Sequence, residues 1–146
     1  MSADVAIITS LYQAKAHLAD YILRVQKVAL QLKQAGVTLE LVLVANDPSE
    51  WEQKILGDLA RALETAQTAE VIRLDVPREP LYASWNRGIR NSSGRAIAIW
   101  NVDDDRTAAA LIEGHRLISE GCAIVDFPFA GSRTTQIGPF TFHPRR

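Results

Sequence analysis

The chain has 146 residues, 47% hydrophobic and 23% charged, with a net charge of −1. That length suffices for one domain with a substantial core, and the near-neutral balance gives no electrostatic footprint for nucleic acid or an anionic membrane surface. The single cysteine, Cys122, allows no internal disulfide, no apolar run approaches the roughly 18 residues of a membrane span, and the first ten residues lack a signal peptide's basic start, so a cytoplasmic setting is expected.

Residues 5–8 form a short apolar run, read as a buried strand. Leu18, Tyr21, Ile22, Val25, Val28, Ala29 and Leu32 then recur at spacings of three and four, one face of an amphipathic helix that Gly36 ends. Residues 39–45 read as the second buried strand, broken by Asn46, Asp47 and Pro48. Ser49 with Glu52 predicts a capping box, and the helix behind it buries Ile55, Leu56, Leu59 and Leu63. Residues 71–74 are a third strand, and Pro77 and Pro80 fence off a loop. A helix is expected over 82–90, with Ala83, Trp85 and Ile89 available for packing; residues 91–94 terminate it. The fourth strand, 96–100, runs into Asn101, Asp103, Asp104 and Asp105. A fourth helix spans 107–120 with Leu111, Ile112 and Ile118 inward, and a fifth strand 123–129 precedes an irregular tail from about 131 to 146. Cys122 falls in the apolar run before that strand and reads as a small core residue.

Alternating strands and helices with continuously apolar strands predict an α/β fold: a three-layer αβα sandwich around a mainly parallel sheet. Ligands of such sheets sit outside the carboxyl ends of the strands. Thr9, Ser10 and Tyr12, then Asn46 and Asp47, then the aspartates after strand four all fall on that rim. Adjacent carboxylates there are tolerated if solvated, as an acidic turn ahead of a helix, or if a cation holds them; hard oxygen ligands suit Mg2+ or Mn2+, ions that also grip substrate phosphates. No G-x-G-x-x-G or Walker A lysine follows the first strand, which disfavours a dinucleotide-binding domain and a P-loop enzyme. His17, His115 and His143 lack zinc spacing, and no serine sits in a nucleophile elbow.

Four segments carry a resemblance. Residues 7–13, IITSLYQ, resemble the opening I-I-x-T-x-x-Y-N of family-two glycosyltransferases of GT-A fold; residues 41–50, LVLVANDPSE, resemble their I-I-V-V-D-D-G-S-T-D; residues 83–88, ASWNRG, with Gly94, resemble A-x-N-x-G and a following glycine; residues 98–104, AIWNVDD, resemble A-F-L-D-x-D-D. Order and spacing agree across residues 4–130. The resemblance implies a site for a nucleotide-diphosphate sugar (the donor) held by Thr9, Ser10, Tyr12, Asn46, Asp47, Arg87 and Asp103, with Asn86 bracing the loop. It implies a metal, Mg2+ or Mn2+, on Asp103 with Asp104, while Asp105 caps the next helix. Transfer to an acceptor hydroxyl with inversion follows, the acceptor being unidentified.

This chain departs from the family at two acids. Asn46 stands where a base-contacting acid is usual, so the choice of nucleobase stays open, and Asn101 replaces the first acid of D-x-D. An inverting enzyme also needs a general base. The family's base follows a strand like residues 138–143, and this chain ends at Arg146, so the acceptor half is expected to be missing and the catalytic base is unassigned. Asp126 is a substitute in principle, inside an apolar strand. The alternative is a non-catalytic nucleotide-sugar-binding or assembly module. Its aromatic tail, Phe127, Phe129, Phe140 and Phe142, either packs on its own domain or forms a homo-oligomer contact. A nucleotidyltransferase is the weaker third option, because its glycine-rich basic loop is missing after strand one.

Overall fold

The computed structural model describes residues 2–127 and the backbone of residues 140–142. Ten elements follow in order: β1 (Val5–Leu11), α1 (Lys15–Gln34), β2 (Leu39–Asn46), α2 (Glu50–Thr65), β3 (Glu70–Val76), α3 (Leu81–Arg90), β4 (Ala96–Ile99), α4 (Ala108–Ser119), β5 (Ile124–Asp126) and β6 (Phe140–Phe142). The first four strands form one parallel sheet in the order β3-β2-β1-β4. The chain steps outward from β1 to β3, then crosses back to place β4 on the other side of β1. The sheet therefore reverses direction between β1 and β4, and a crevice at their carboxyl ends follows from that topology.

Period-two alternation sorts the side chains of the two central strands. Val5, Ile7 and Leu11 of β1 and Leu39, Leu41, Leu43 and Ala45 of β2 share one core with α1, α2 and α4. Ala6, Ile8, Val42 and Val44 face the opposite side, which α3 covers. The layers are thus αβα, with three helices on one face and one on the other. α3 approaches very closely: a Cβ at Gly88 would lie 2.5 Å from Cγ2 of Ile8 and 3.3 Å from Cγ2 of Val44. At the amino edge of the sheet the buried Glu40 carboxylate accepts from the Ser93 N–H (2.8 Å) and hydroxyl (2.7 Å), pinning the turn after α3 beneath β1.

The capping box forms as the spacing predicts: the Ser49 hydroxyl accepts from Glu52 N–H (3.2 Å), and the Glu52 carboxylate from Ser49 N–H (2.9 Å). Helices α1 and α3 have no side-chain cap, and Thr107, not Asp105, caps α4 by accepting from Ala110 N–H (3.2 Å). Of the expected fifth strand, 123–129, the described residues form β5 over Ile124–Asp126, which pairs antiparallel with β6 as a separate two-stranded unit. The tail is consequently not irregular throughout. The ring of Phe127 lies over Gly114 of α4, so this aromatic packs on its own chain. Phe129 and the side chains of Phe140 and Phe142 lie outside the described residues, as does the proposed contact through them. Among the described residues no helix is long and apolar enough to cross a membrane.

Candidate functional site

β1 continues beyond its apolar run through Thr9 and Ser10, and alternation turns these two side chains to opposite faces. Thr9 faces α1. Its hydroxyl is fully buried and shares a 2.8 Å hydrogen bond with the Tyr21 hydroxyl. Burial pushes the Tyr21 phenol well above its ordinary pKa and keeps it neutral. Tyr21 meets Trp100 edge to face, with centroids 5.9 Å apart, and the Trp100 indole N–H donates to the carbonyl of Asp104 (3.0 Å). The expected ligand contact at Thr9 is therefore replaced, for its side chain, by a role behind the rim: it heads a chain of contacts that fixes the acidic turn relative to β1.

Ser10 faces α3 and enters a polar knot. Its hydroxyl donates to Ser84 Oγ of α3 (2.8 Å), and Asn46 Nδ2 reaches Ser84 Oγ (3.1 Å) and Ser10 Oγ (3.3 Å). Asn46 Nδ2 also reaches the carbonyls of Leu11 (3.2 Å) and Val44 (3.4 Å), while its Oδ1 accepts from Glu79 N–H (3.1 Å). Asn46 is only 3% exposed. It was expected at the solvent rim as a base contact; instead its amide is spent on protein partners.

Tyr12 and Asp47 do lie exposed beside this knot. The guanidinium of Arg78, in the loop before α3, sits over the Tyr12 ring at 4.4 Å. Gln13 and Asp47 both adopt positive φ, 49° and 44°, so the loops after β1 and β2 turn through the left-handed region that non-glycine residues seldom occupy. The loop after β1 is tied down by Glu52, whose carboxylate accepts from the buried Ala14 N–H (3.0 Å). Burial opposes ionisation of Glu52, but the N–H groups of Ser49 and Ala14 outweigh it and hold the pKa below the usual glutamate value.

Arg87 is committed to Glu79 through a two-point ion pair of 2.8 and 3.0 Å. The pair raises the Arg87 pKa and lowers that of Glu79. Asn86, expected as the brace, is exposed and its side chain makes no hydrogen bond among the described residues; Ser84 does the bracing. Trp85 packs edge to face on Tyr82 at 5.2 Å, as local packing predicts.

The acidic turn belongs to the same edge, since the β1–β4 ladder continues as Trp100 N–H donates to Ile8 O (3.0 Å). Asp104 accepts from Asn101 Nδ2 (3.1 Å) and lies 3.9 Å from Nη2 of Arg106, whose Nε donates to Ile99 O (3.2 Å). Asp103 is exposed and makes no hydrogen bond among the described residues. No group of three or more acidic, histidine or cysteine side chains is gathered there as a cation cage. A cation would therefore find the exposed carboxylates of Asp103 and Asp105 uncommitted, with that of Asp104 already balanced by Arg106. That donor set fits an ion that arrives with phosphates and keeps its waters, as Mg2+ does, and does not fit a site that binds a bare ion by itself.

Ser84, Glu79 and Arg78 escaped the sequence reading, and Glu52 was legible as a capping residue but not as the tie to the loop after β1. Ser84 and Gly88 carried a legible signal: two small residues four apart mark a helix face that approaches a strand closely.

No protein-family model matches the chain, and no curated protein sequence does. Solved structures do. The crystal structure of S. aureus TarS 1–349 superposes over 94% of this chain at a TM-score of 0.64 and 16% identity, covering 38% of that chain. The same protein in complex with UDP-GlcNAc gives 0.66 at 13% identity, covering 37%, and S. aureus TarS at greater length gives 0.64, covering 23%. The chain thus spans less than two fifths of the length of the structures it matches. The fold is GT-A, that of the nucleotide-diphospho-sugar transferases, in the part that begins those longer chains.

Proposed function

We propose that the carboxyl-end rim of β1, β2 and β4 is the donor site of a glycosyltransferase, which binds a nucleotide-diphosphate sugar and transfers the sugar with inversion to an acceptor hydroxyl. One observation carries this reading. Ser10, Asn46, Ser84 and the loop before α3 are knotted together where β1 and β2 end, and an uncommitted Asp103 follows β4 on the other side of β1, where the sheet reverses. S. aureus TarS, of the same fold, has been solved with UDP-GlcNAc and with UDP, which supports a uridine nucleotide as the probe.

In this reading Tyr12 and Asp47 supply the exposed side chains of the nucleotide site, and Ser10 and Asn46 fix the loops that bear them. Arg87 reaches the donor only by leaving Glu79. Asp103 would hold Mg2+ or Mn2+ brought with the diphosphate, and Asp104 would join it only by leaving Arg106. The ion, when bound, neutralises the departing diphosphate. The proton of the acceptor hydroxyl goes to a base that stays unassigned: Asp126 lies on the β5–β6 pair, outside the four-stranded sheet.

The internal engagement of Asn46 and Arg87 favours a second reading, a domain that binds the donor without transferring it. Calorimetric titration with UDP-GlcNAc, with and without Mn2+, tests the shared part. Mn2+-dependent binding supports the donor site, and no binding under either condition removes it. Slow Mn2+-dependent hydrolysis of the bound donor separates an enzyme from a binding module.

A further inference from the structure

Position 46 is built for an amide. Two of the oxygens around Nδ2, the carbonyls of Leu11 (3.2 Å) and Val44 (3.4 Å), can only accept, and the Glu79 N–H facing Oδ1 (3.1 Å) can only donate. This fixes which way the amide points. The hydroxyls of Ser10 and Ser84 complete the surround of Nδ2. An aspartate here would aim an oxygen without a proton at two carbonyl oxygens, in a spot 3% exposed. The residue ties together three pieces of the rim: the end of β1, the end of β2 and the loop bearing Arg78 and Glu79.

We infer that Asn46 is a positioning residue that locks these three segments, and that the site does not read the nucleobase edge through it. This rests on the donor-site reading and deepens it. Uracil presents a ring N–H where cytosine presents a bare ring nitrogen, and a lone-pair acceptor at position 46 would tell them apart. With Oδ1 taken by Glu79 and Nδ2 surrounded, neither edge finds a free partner there. Position 46 then adds nothing to any preference between uridine and cytidine diphosphates.

Two measurements test this. The first needs no ligand: melting temperatures of the wild type and Asn46→Asp between pH 4.5 and 8. The buried carboxyl of the variant has a folded pKa above its unfolded value, so its stability is present at low pH and lost as pH rises. The charged groups nearby are Glu79, whose carboxylate is held by Arg87, and the exposed Asp47. The variant should melt about 5–10 °C below wild type at pH 8, with the gap narrowing toward pH 4.5. A gap that does not change with pH overturns the assignment. The second compares UDP and CDP affinities, with Mn2+, for the wild type, Asn46→Asp and Ser84→Ala. Ser84→Ala removes one wall of the lock without adding charge. A UDP-to-CDP affinity ratio within about threefold of the wild type's in both variants, with affinity for both nucleotides falling together, supports the lock. A roughly tenfold rise in UDP preference in Asn46→Asp would mean that position 46 does read the base. If neither nucleotide binds the wild type, the donor-site reading fails, and the melting data still decide the role of Asn46.

Discussion

Removing the carboxylate of Glu52 should cost more than the loss of any surface acid. Glu52 is 7% exposed and serves two elements at once. It closes the capping box of α2 through Ser49 N–H and satisfies Ala14 N–H at the end of the loop after β1. Glu52→Ala leaves both N–H groups without a partner, the Ala14 one buried and the Ser49 one partly so. At about 1–3 kcal/mol for each orphaned donor, the smaller value for the half-buried one, the loss is about 2–4 kcal/mol. For a chain of this size that lowers the melting temperature by roughly 5–15 °C, short of abolishing the fold. The sign of the pH dependence is set by the lowered pKa of Glu52. Its contribution is fully present above the ordinary glutamate value of 4.5 and is lost as pH falls through the lower folded value. Urea denaturation of wild type, Glu52→Ala and Glu52→Gln at pH 7 and pH 3 reads this directly. Glutamine keeps one acceptor and turns an NH2 toward the other donor, so it should recover only part of the loss. Equal stability of wild type and Glu52→Ala at pH 7, or a difference that persists undiminished at pH 3, would refute the reasoning.

Thr9→Val should separate position from contact: it orphans the buried Tyr21 hydroxyl at about 1–3 kcal/mol in denaturant unfolding, yet leaves UDP affinity within about twofold of wild type. Gly88→Ala forces a methyl group against Ile8 and Val44. Overpacking of about 1–3 kcal/mol outweighs a helix-propensity gain of about 1 kcal/mol, and Ser84, one turn earlier, should move with α3, so UDP affinity falls too. Glu79→Gln should free Arg87 from its ion pair; the Arg87 guanidinium then turns to the diphosphate and UDP binding tightens, a change that calorimetry in low salt resolves.

The strands and helices were legible because their apolar periods are unbroken, and the capping box because its two residues are specific. The ends of β1 and β2 were not, because Thr9, Ser10 and Asn46 carry side chains typical of loops. Each stays in its strand because a partner waits on its own face: Tyr21 for Thr9, Ser84 for Ser10 and Asn46. Those partners lie 12, 74 and 38 residues away in sequence, beyond any local pattern. The same distance hid the true state of Asn46, which its sequence place marks as a rim residue and its contacts mark as a brace. β5 was misjudged because an apolar run says nothing about which neighbour it pairs with; β6 supplies that neighbour, antiparallel and outside the main sheet.

Paramagnetic broadening by Mn2+ in the NMR spectrum of the isotope-labelled chain, recorded with and without UDP, tests the donor-site account most directly. The account predicts broadening that requires UDP, is centred on Asp103 and reaches the amides of Ser10, Tyr12 and Asp47. Broadening that ignores UDP, or that centres on the acids of α4, would contradict it.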